Sequence, residues 1–314
     1  MKRLLIIRFS ALGDVAMLVP VVREAAEQLP ETEITVLSQQ RMSDLFRSMP
    51  ANVRFYGVDW QQQSLREVVK DLGSFDYVAD VHGVWRSWYI DLRMWLRGAR
   101  VRTIWKGRFA KWLLTHGLLH RPLKHSSERY SDVIHISKQY RKKVGLTTKQ
   151  PLPSVQKSGI GIAPFAAHKG KLYPLARMER VVAMLSERGE KIVLFGSKDE
   201  REALDKWAAK YPNVVCIAGQ KSLAEELDMI RGLRVMVSMD SANMHLASLV
   251  GTRVVSIWGA THPHAGFLGV GQSESDCVQR DLKCRPCSVY GNKQCKYGDY
   301  RCLDIEPEEI VARI

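Results

Sequence analysis

A chain of 314 residues, 46% hydrophobic and 25% charged, has the make-up of a soluble enzyme long enough to bury two cores. No stretch approaches the roughly 18 apolar residues that a membrane span needs, which leaves only peripheral membrane contact open. The net charge of +14 is uneven: between Arg86 and Lys143 there are 15 Lys and Arg against Asp91, Glu128 and Asp132. Five of the eight tryptophans, Trp85, Trp88, Trp95, Trp105 and Trp112, lie in or beside that stretch. Basic and aromatic interleaving suits nucleic acid, anionic lipid headgroups or a phosphorylated glycolipid; the alternative is a solvated basic face with the tryptophans turned inward.

Lys2 to Phe9 is a β-rich run that stops at S-A-L-G-D. It begins like a signal peptide, but Arg8 and Asp14 interrupt the apolar run and no small-residue cleavage site follows, so a first strand is expected. Asp14 opens a helical pattern through Val15, Leu18, Val19, Val22, Ala25, Ala26 and Leu29, closed by Pro30; Pro20 predicts a bend or a late helix start. Gly13 and Asp14 thus fall at the edge of a sheet, Asp14 being either a reacting carboxylate or a helix cap.

Ile34 to Leu37, Val53 to Tyr56 and Phe75 to Asp80 are further strands, separated by helices such as Leu65 to Leu72, an alternation that predicts a parallel sheet with helices on both faces. D-V-H-G-V-W-R-S follows on the carboxyl side, where a lone His82 is more often structural than a ligand. In the next helix Trp85, Trp88, Leu92 and Trp95 share one stripe and Arg86, Arg93 and Arg97 another, which predicts one packed face and one face meeting anions. Ser126 to Lys143 reads as a long helix. Thr147 to Lys157, with Pro151 and Pro153, reads as the linker between a first domain, 1–150, and a second, 151–314.

The second domain opens at Ser158 with G-I-G-I-A-P-F, followed by A-A-H-K-G-K-L-Y-P-L, a helix to Arg188 and a strand from Lys191 to Phe195 that ends on Gly196 and Ser197. Later, apolar Val235 to Val237, polar Ser238 to Asn243, a helix-period segment and apolar Val254 to Ile257 read as strand, turn, helix, strand. Asp240 and Ser241 therefore sit where a buried strand meets a helix N-terminus, whose unpaired N–H groups and dipole favour a phosphate or diphosphate. The plainer reading makes one of them an N-cap. Near the end, Cys284, Cys287, Cys295 and Cys302 form C-x2-C-x7-C-x6-C, which in a cytosolic chain points to structural zinc or free thiols rather than disulfides. Cys216 and Cys277 read as ordinary thiols.

D-S-A-N-M-H-L-A-S-L, an apolar strand and W-G-A-T-H-P resemble the donor-site signature of glycosyltransferase family 9, the bacterial lipopolysaccharide heptosyltransferases and their relatives; the family usually has glycine at Ala242. R-F-S-A-L-G-D-V resembles the family where its Asp is the proposed base, and D-V-H-G its loop between domains. Lys171 before L-Y-P resembles the family's lysine on the donor diphosphate, with Lys169 two residues away, and the Cys-rich tail is similar too. The resemblance runs in the family's order over nearly the whole chain. It implies an α/β fold of two Rossmann-like domains facing across a cleft, the GT-B type, with the acceptor mainly on the first and the sugar nucleotide mainly on the second.

The activity so implied is inverting transfer of a heptose or related sugar from a nucleoside-diphosphate donor, ADP-heptose in this family, to an anionic glycolipid acceptor, the lipopolysaccharide core. Asp14 would deprotonate the acceptor while Lys171 stabilises the leaving diphosphate, with no metal required for catalysis. Gly196, Ser197, Asp240, Ser241, Ala242 and His245 are the donor-side expectations; Ser10, Gly13, His82, Arg86, Arg93 and Arg97 are the acceptor-side ones. The resemblance also implies a cytoplasmic enzyme, peripheral at the inner face of the cytoplasmic membrane, without a nucleic-acid partner. Two other readings compete: transfer of another nucleotide sugar on the same fold, and a non-catalytic anion- or nucleic-acid-binding protein. Against the last stands the absence of an RNA- or DNA-binding motif.

Overall fold

The computed structural model describes residues 2–134 and 155–314. Most of the expected linker and the second half of the expected 126–143 helix lie outside the described residues. The chain divides into two compact units, one made of 2–107 and 126–134 and the other of 108–125 and 155–314.

In chain order come β1 (Lys2–Ile7), α1 (Leu12–Gln28), β2 (Thr32–Gln39), β3 (Val53–Val58), α2 (Leu65–Leu72), β4 (Tyr77–Asp80), α3 (Trp85–Trp95), β5 (Arg100–Thr103), α4 (Arg108–Thr115) and α5 (Ser126–Ile134). All but α4, which belongs to the second unit, build the first. Its sheet is parallel throughout, in the order β3-β2-β1-β4-β5. Leu4 to Ile7 are fully buried because helices cover both faces of the central strand, and such strands carry unbroken apolar runs rather than alternation. The chain moves outward from β1 to β3 and then returns beside β1 as β4. The topological switch point therefore lies between β1 and β4, where open α/β sheets bind ligands.

Pro20 does not delay the first helix: α1 starts at Leu12 and runs through the proline to Gln28. An interior proline costs about 3 kcal/mol, but Val15 to Val22 are buried without a break, and that packing outweighs the lost hydrogen bond. α2 follows sequence grammar closely, with Ser64 and Glu67 forming a reciprocal capping box at its start. In α3 the face that packs is neither of the two expected stripes, and the tryptophan stripe expected to pack is exposed. Ser87, Ile90, Asp91 and Met94 pack inward, whereas Trp85, Trp88, Leu92 and Trp95 face outward.

The second unit continues with β6 (Ile160–Ala163), α6 (Leu175–Glu187), β7 (Ile192–Leu194), α7 (Arg201–Ala208), β8 (Val214–Cys216), α8 (Leu223–Gly232), β9 (Val235–Met239), α9 (Ala242–Leu249), β10 (Arg253–Trp258), β11 (Cys277–Gln279) and α10 (Pro307–Val311). Its sheet, also parallel, has the order β11-β10-β9-β6-β7-β8. The core joins Ile160, Ile162, Val235, Val237, Val255 and Ile257 from the sheet to Met178, Val181, Val182 and Leu185 of α6. Here the switch point lies between β6 and β9, so the turn from β9 to α9 carries Asp240 and Ser241 into it.

Candidate functional site

In the first unit, the β1–α1 loop carries Ser10, and Gly13 and Asp14 are the second and third residues of α1. Its Oδ2 lies 2.8 Å from Arg8 Nη2 and accepts the Ala11 N–H at 3.3 Å, while Oδ1 accepts the Tyr130 hydroxyl at 3.1 Å. Asp14 is thus a helix cap and a member of a charged cluster at once, with 26% of its side chain still exposed. Arg8 also donates to the Val81 carbonyl at 2.6 Å, tying the two loops of the switch point together. Burial works against the Arg8 charge, but Tyr130 and Asp14 more than offset it and push its pKa up. Burial likewise pushes the Tyr130 phenol up, so it stays a donor.

His82 lies on the β4–α3 loop. Its Nδ1 accepts the Phe9 N–H in a long bond of 3.4 Å, which leaves the proton on Nε2. Burial, and next the charges of Arg8 and Lys106, push it down to about 4. At neutral pH His82 is therefore an uncharged donor beside the Arg8–Asp14 cluster.

The loop under His82 hangs on Asp80, whose Oδ1 accepts the His82 and Gly83 N–H groups at 2.8 and 2.9 Å and whose Oδ2 accepts the Ser87 hydroxyl at 2.7 Å. Buried Asp91 shares a carboxyl–carboxylate hydrogen bond with it; burial, then the Asp80 charge, pushes Asp91 up to about 8 from an ordinary 3.8. Between those values the folded chain holds a proton that the unfolded chain has lost, so this group's contribution to stability falls as pH rises from about 4 to about 8. Asp91→Asn, which can still donate to Asp80, should therefore be more stable than the parent at pH 8, and the difference should vanish near pH 4. Denaturant unfolding at the two pH values checks this; a less stable variant at pH 8 refutes the shared proton.

The three arginines expected on one acceptor face do separate jobs. Arg86 lies over the rings of Trp60 and Trp85 at 5.1 and 5.0 Å. Arg97 donates to the carbonyls of Val69 and Gly73, closing the C-terminal end of α2. Arg93 is exposed on α3.

In the second unit the centre is an ion pair. Lys171 Nζ stands 2.8 Å from Asp240 Oδ2 and donates to the Asp240 carbonyl at 3.1 Å; Asp240 is 4% exposed. The N-cap reading of this turn does not hold, since Ser241 makes no capping hydrogen bond and its Oγ lies instead 3.2 Å from Ser238 Oγ. Asp240 is turned to the lysine. The first-turn amides of α9, beginning at Ala242, thus carry no side-chain cap, and a fixed ammonium sits beside them: two sources of positive potential for one anion.

Lys169 looks elsewhere. It is exposed and lines a depression of about 570 Å³ with Arg177, Tyr300 and Arg301 of the tail. What separates the two lysines is the turn they share. The Ala260 N–H donates to the Gly170 carbonyl at 2.7 Å, and a Cβ on Gly259 would meet that same oxygen at 2.4 Å. Gly291, in the left-handed region at φ +75°, leaves room for the Lys171 stem. Arg285 holds the other side by donating to the carbonyls of Gly259 and Thr261. Sequence reading missed Arg285, Gly170 and Gly291; only Gly170, between Lys169 and Lys171, carried a local signal.

His245 is buried within α9, 8% exposed. Gly196 and Ser197 follow β7, two strands from β9 and hence about 10 Å along the same sheet edge. Glu200 accepts the Ser197 N–H at 2.7 Å. His262, also missed, follows β10 and is pushed down to about 4 by burial and then by His264 and Arg285.

Among the described residues no three His, Cys, Asp or Glu side chains converge as a metal group, and Cys284, Cys287, Cys295 and Cys302 are free thiols. Cys302 packs with Ala260 and Leu303, and with partly buried Cys287, as a small apolar side chain, and burial pushes it up to about 11.

The family model for glycosyltransferase family 9 (heptosyltransferase) matches residues 66–298. Lipopolysaccharide heptosyltransferase 1 of Pseudomonas aeruginosa is 25% identical over 353 aligned positions, covering 99% of this chain and 93% of that protein. The solved structure of E. coli ADP-heptose lipopolysaccharide heptosyltransferase II has a TM-score of 0.70 at 20% identity, covering 100% of this chain and 97% of that one. A glycosyltransferase family 9 structure from Veillonella parvula has a TM-score of 0.73 at 17% identity, covering 99% and 95%. These likenesses establish the GT-B fold, with its two Rossmann-like domains. With the family model spanning well over half of its length and this fold beneath it, the chain belongs to glycosyltransferase family 9 and is a glycosyltransferase.

Proposed function

We propose that the protein transfers a heptose from ADP-heptose to a lipopolysaccharide core acceptor with inversion, the second unit holding the donor and the first the acceptor. The observation that carries this reading is Lys171, fixed by buried Asp240 beside the uncapped start of α9. Negative charge gathers on the diphosphate as the glycosidic bond breaks, so a preorganised ammonium and helix N-terminus stabilise the transition state more than the ground state. Asp14 takes the acceptor hydroxyl's proton as that oxygen bonds the anomeric carbon, and His82 offers a neutral N–H to a substrate oxygen. The names of the similar proteins, heptosyltransferases acting on lipopolysaccharide, support this donor and acceptor.

A thermal-shift screen against ADP-, GDP- and UDP-sugars, followed by turnover of ADP-heptose on a heptose-free core, tests it. Only the ADP series should raise the melting temperature strongly, as expected for a ligand that binds the native state alone. A larger shift with GDP- or UDP-sugars would reassign the donor. Salt-dependent oligonucleotide binding with no turnover of any nucleotide sugar would favour the non-catalytic reading.

A further inference from the structure

α3 presents an apolar surface that nothing among the described residues of its unit covers. Trp85, Trp88, Leu92, Trp95 and Leu96 are 62, 55, 52, 61 and 62% exposed. At 3.6 residues per turn they fall within one arc of roughly 100°, opposite the buried Ile90 and Met94. A soluble protein rarely leaves five large apolar side chains contiguous, so such a patch marks a contact surface. Its surroundings are cationic. From Trp85 to Lys106 there are six Lys and Arg against a single acid, Asp91, and that acid is buried on the inner side of α3. Arg93 is exposed on the helix itself, and Arg100 and Arg102 are exposed on β5, the edge strand that packs against it.

We infer that this face of α3 is an interfacial docking surface for an anionic lipid bilayer. Tryptophans seat at the headgroup level, where an apolar ring and a polar N–H are both satisfied; Leu92 and Leu96 reach the acyl boundary, and the flanking arginines meet lipid phosphates. Charge complementarity selects the anionic surface. The two leucines within the tryptophan stripe select lipid over nucleic acid, because they offer bases no stacking partner. The inference goes beyond sugar transfer and does not need it.

The test is sedimentation with phosphatidylethanolamine–phosphatidylglycerol vesicles and, in parallel, with phosphatidylcholine vesicles, with no sugar nucleotide present, so that it succeeds or fails independently of the transferase reading. The protein should bind the anionic vesicles, and brominated lipid should quench its tryptophan emission. Trp85→Ser, Trp88→Ser and Trp95→Ser should each lower partitioning about ten-fold without moving the melting temperature, since these side chains are exposed. Arg93→Glu should weaken binding at low salt, the effect shrinking as salt screens it over ~10 Å at 0.1 M. Three results overturn the inference: no binding to anionic vesicles, a triple tryptophan variant that partitions like the parent, or a dimer in solution that the same variant dissociates. Tryptophan-dependent oligonucleotide binding in place of vesicle binding also overturns it.

Discussion

Lys171→Ala should lower both stability and turnover. Asp240 is 4% exposed and, among the described residues, its charge is met by this one ammonium at 2.8 Å, so truncation strands a buried carboxylate at a cost of about 3 kcal/mol. Loss of a fixed cation from the leaving diphosphate should lower kcat by about 10²- to 10³-fold. The two effects separate in a second variant. Replacing the pair together, Lys171→Met with Asp240→Leu, removes the stranded charge and should recover most of the stability while kcat stays low. Denaturant unfolding and steady-state kinetics on both variants read this directly. Parent-like kinetics in Lys171→Ala would transfer the role to Lys169, two residues away on the same turn.

Asp14→Asn should lower kcat by ~10²-fold or more through loss of the general base, with donor binding nearly intact. Asparagine keeps an oxygen that can accept from Ala11 N–H or Tyr130, so the start of α1 should survive and the kinetic loss is not a folding artefact. Circular dichroism and ADP binding check the fold. Near-parent turnover would leave Asp14 as only a cap and a partner for Arg8.

Both experiments address side chains that the sequence singles out, but the pairing that makes them testable was not legible there. The register K-G-K offers two lysines with nothing local to choose between them. Gly170 and Gly259 choose, because their backbones approach too closely for any side chain, and that approach joins residues about ninety positions apart. Arg86, Arg93 and Arg97 share a helical stripe by spacing, yet Arg97 is consumed by the carbonyls of α2. β5 escaped notice because R-V-R-T, a charged edge strand, shows no apolar run.

The sequence by itself determined the α/β class, the parallel strands, the span of α2 and the placement of Asp14, His82 and Asp240 at or just beyond strand ends. These follow from local properties: apolar runs, helical period and turn chemistry act within a few residues. Tertiary structure alone decided that α1 continues through Pro20, that His82 is a neutral donor, that Asp240 is committed to Lys171, that Cys302 and Cys287 pack against Ala260 and Leu303, and that the α3 tryptophans face outward. Periodicity shows that a helix has two faces. Only the partner that covers one of them fixes which is buried, and that partner comes from distant parts of the chain.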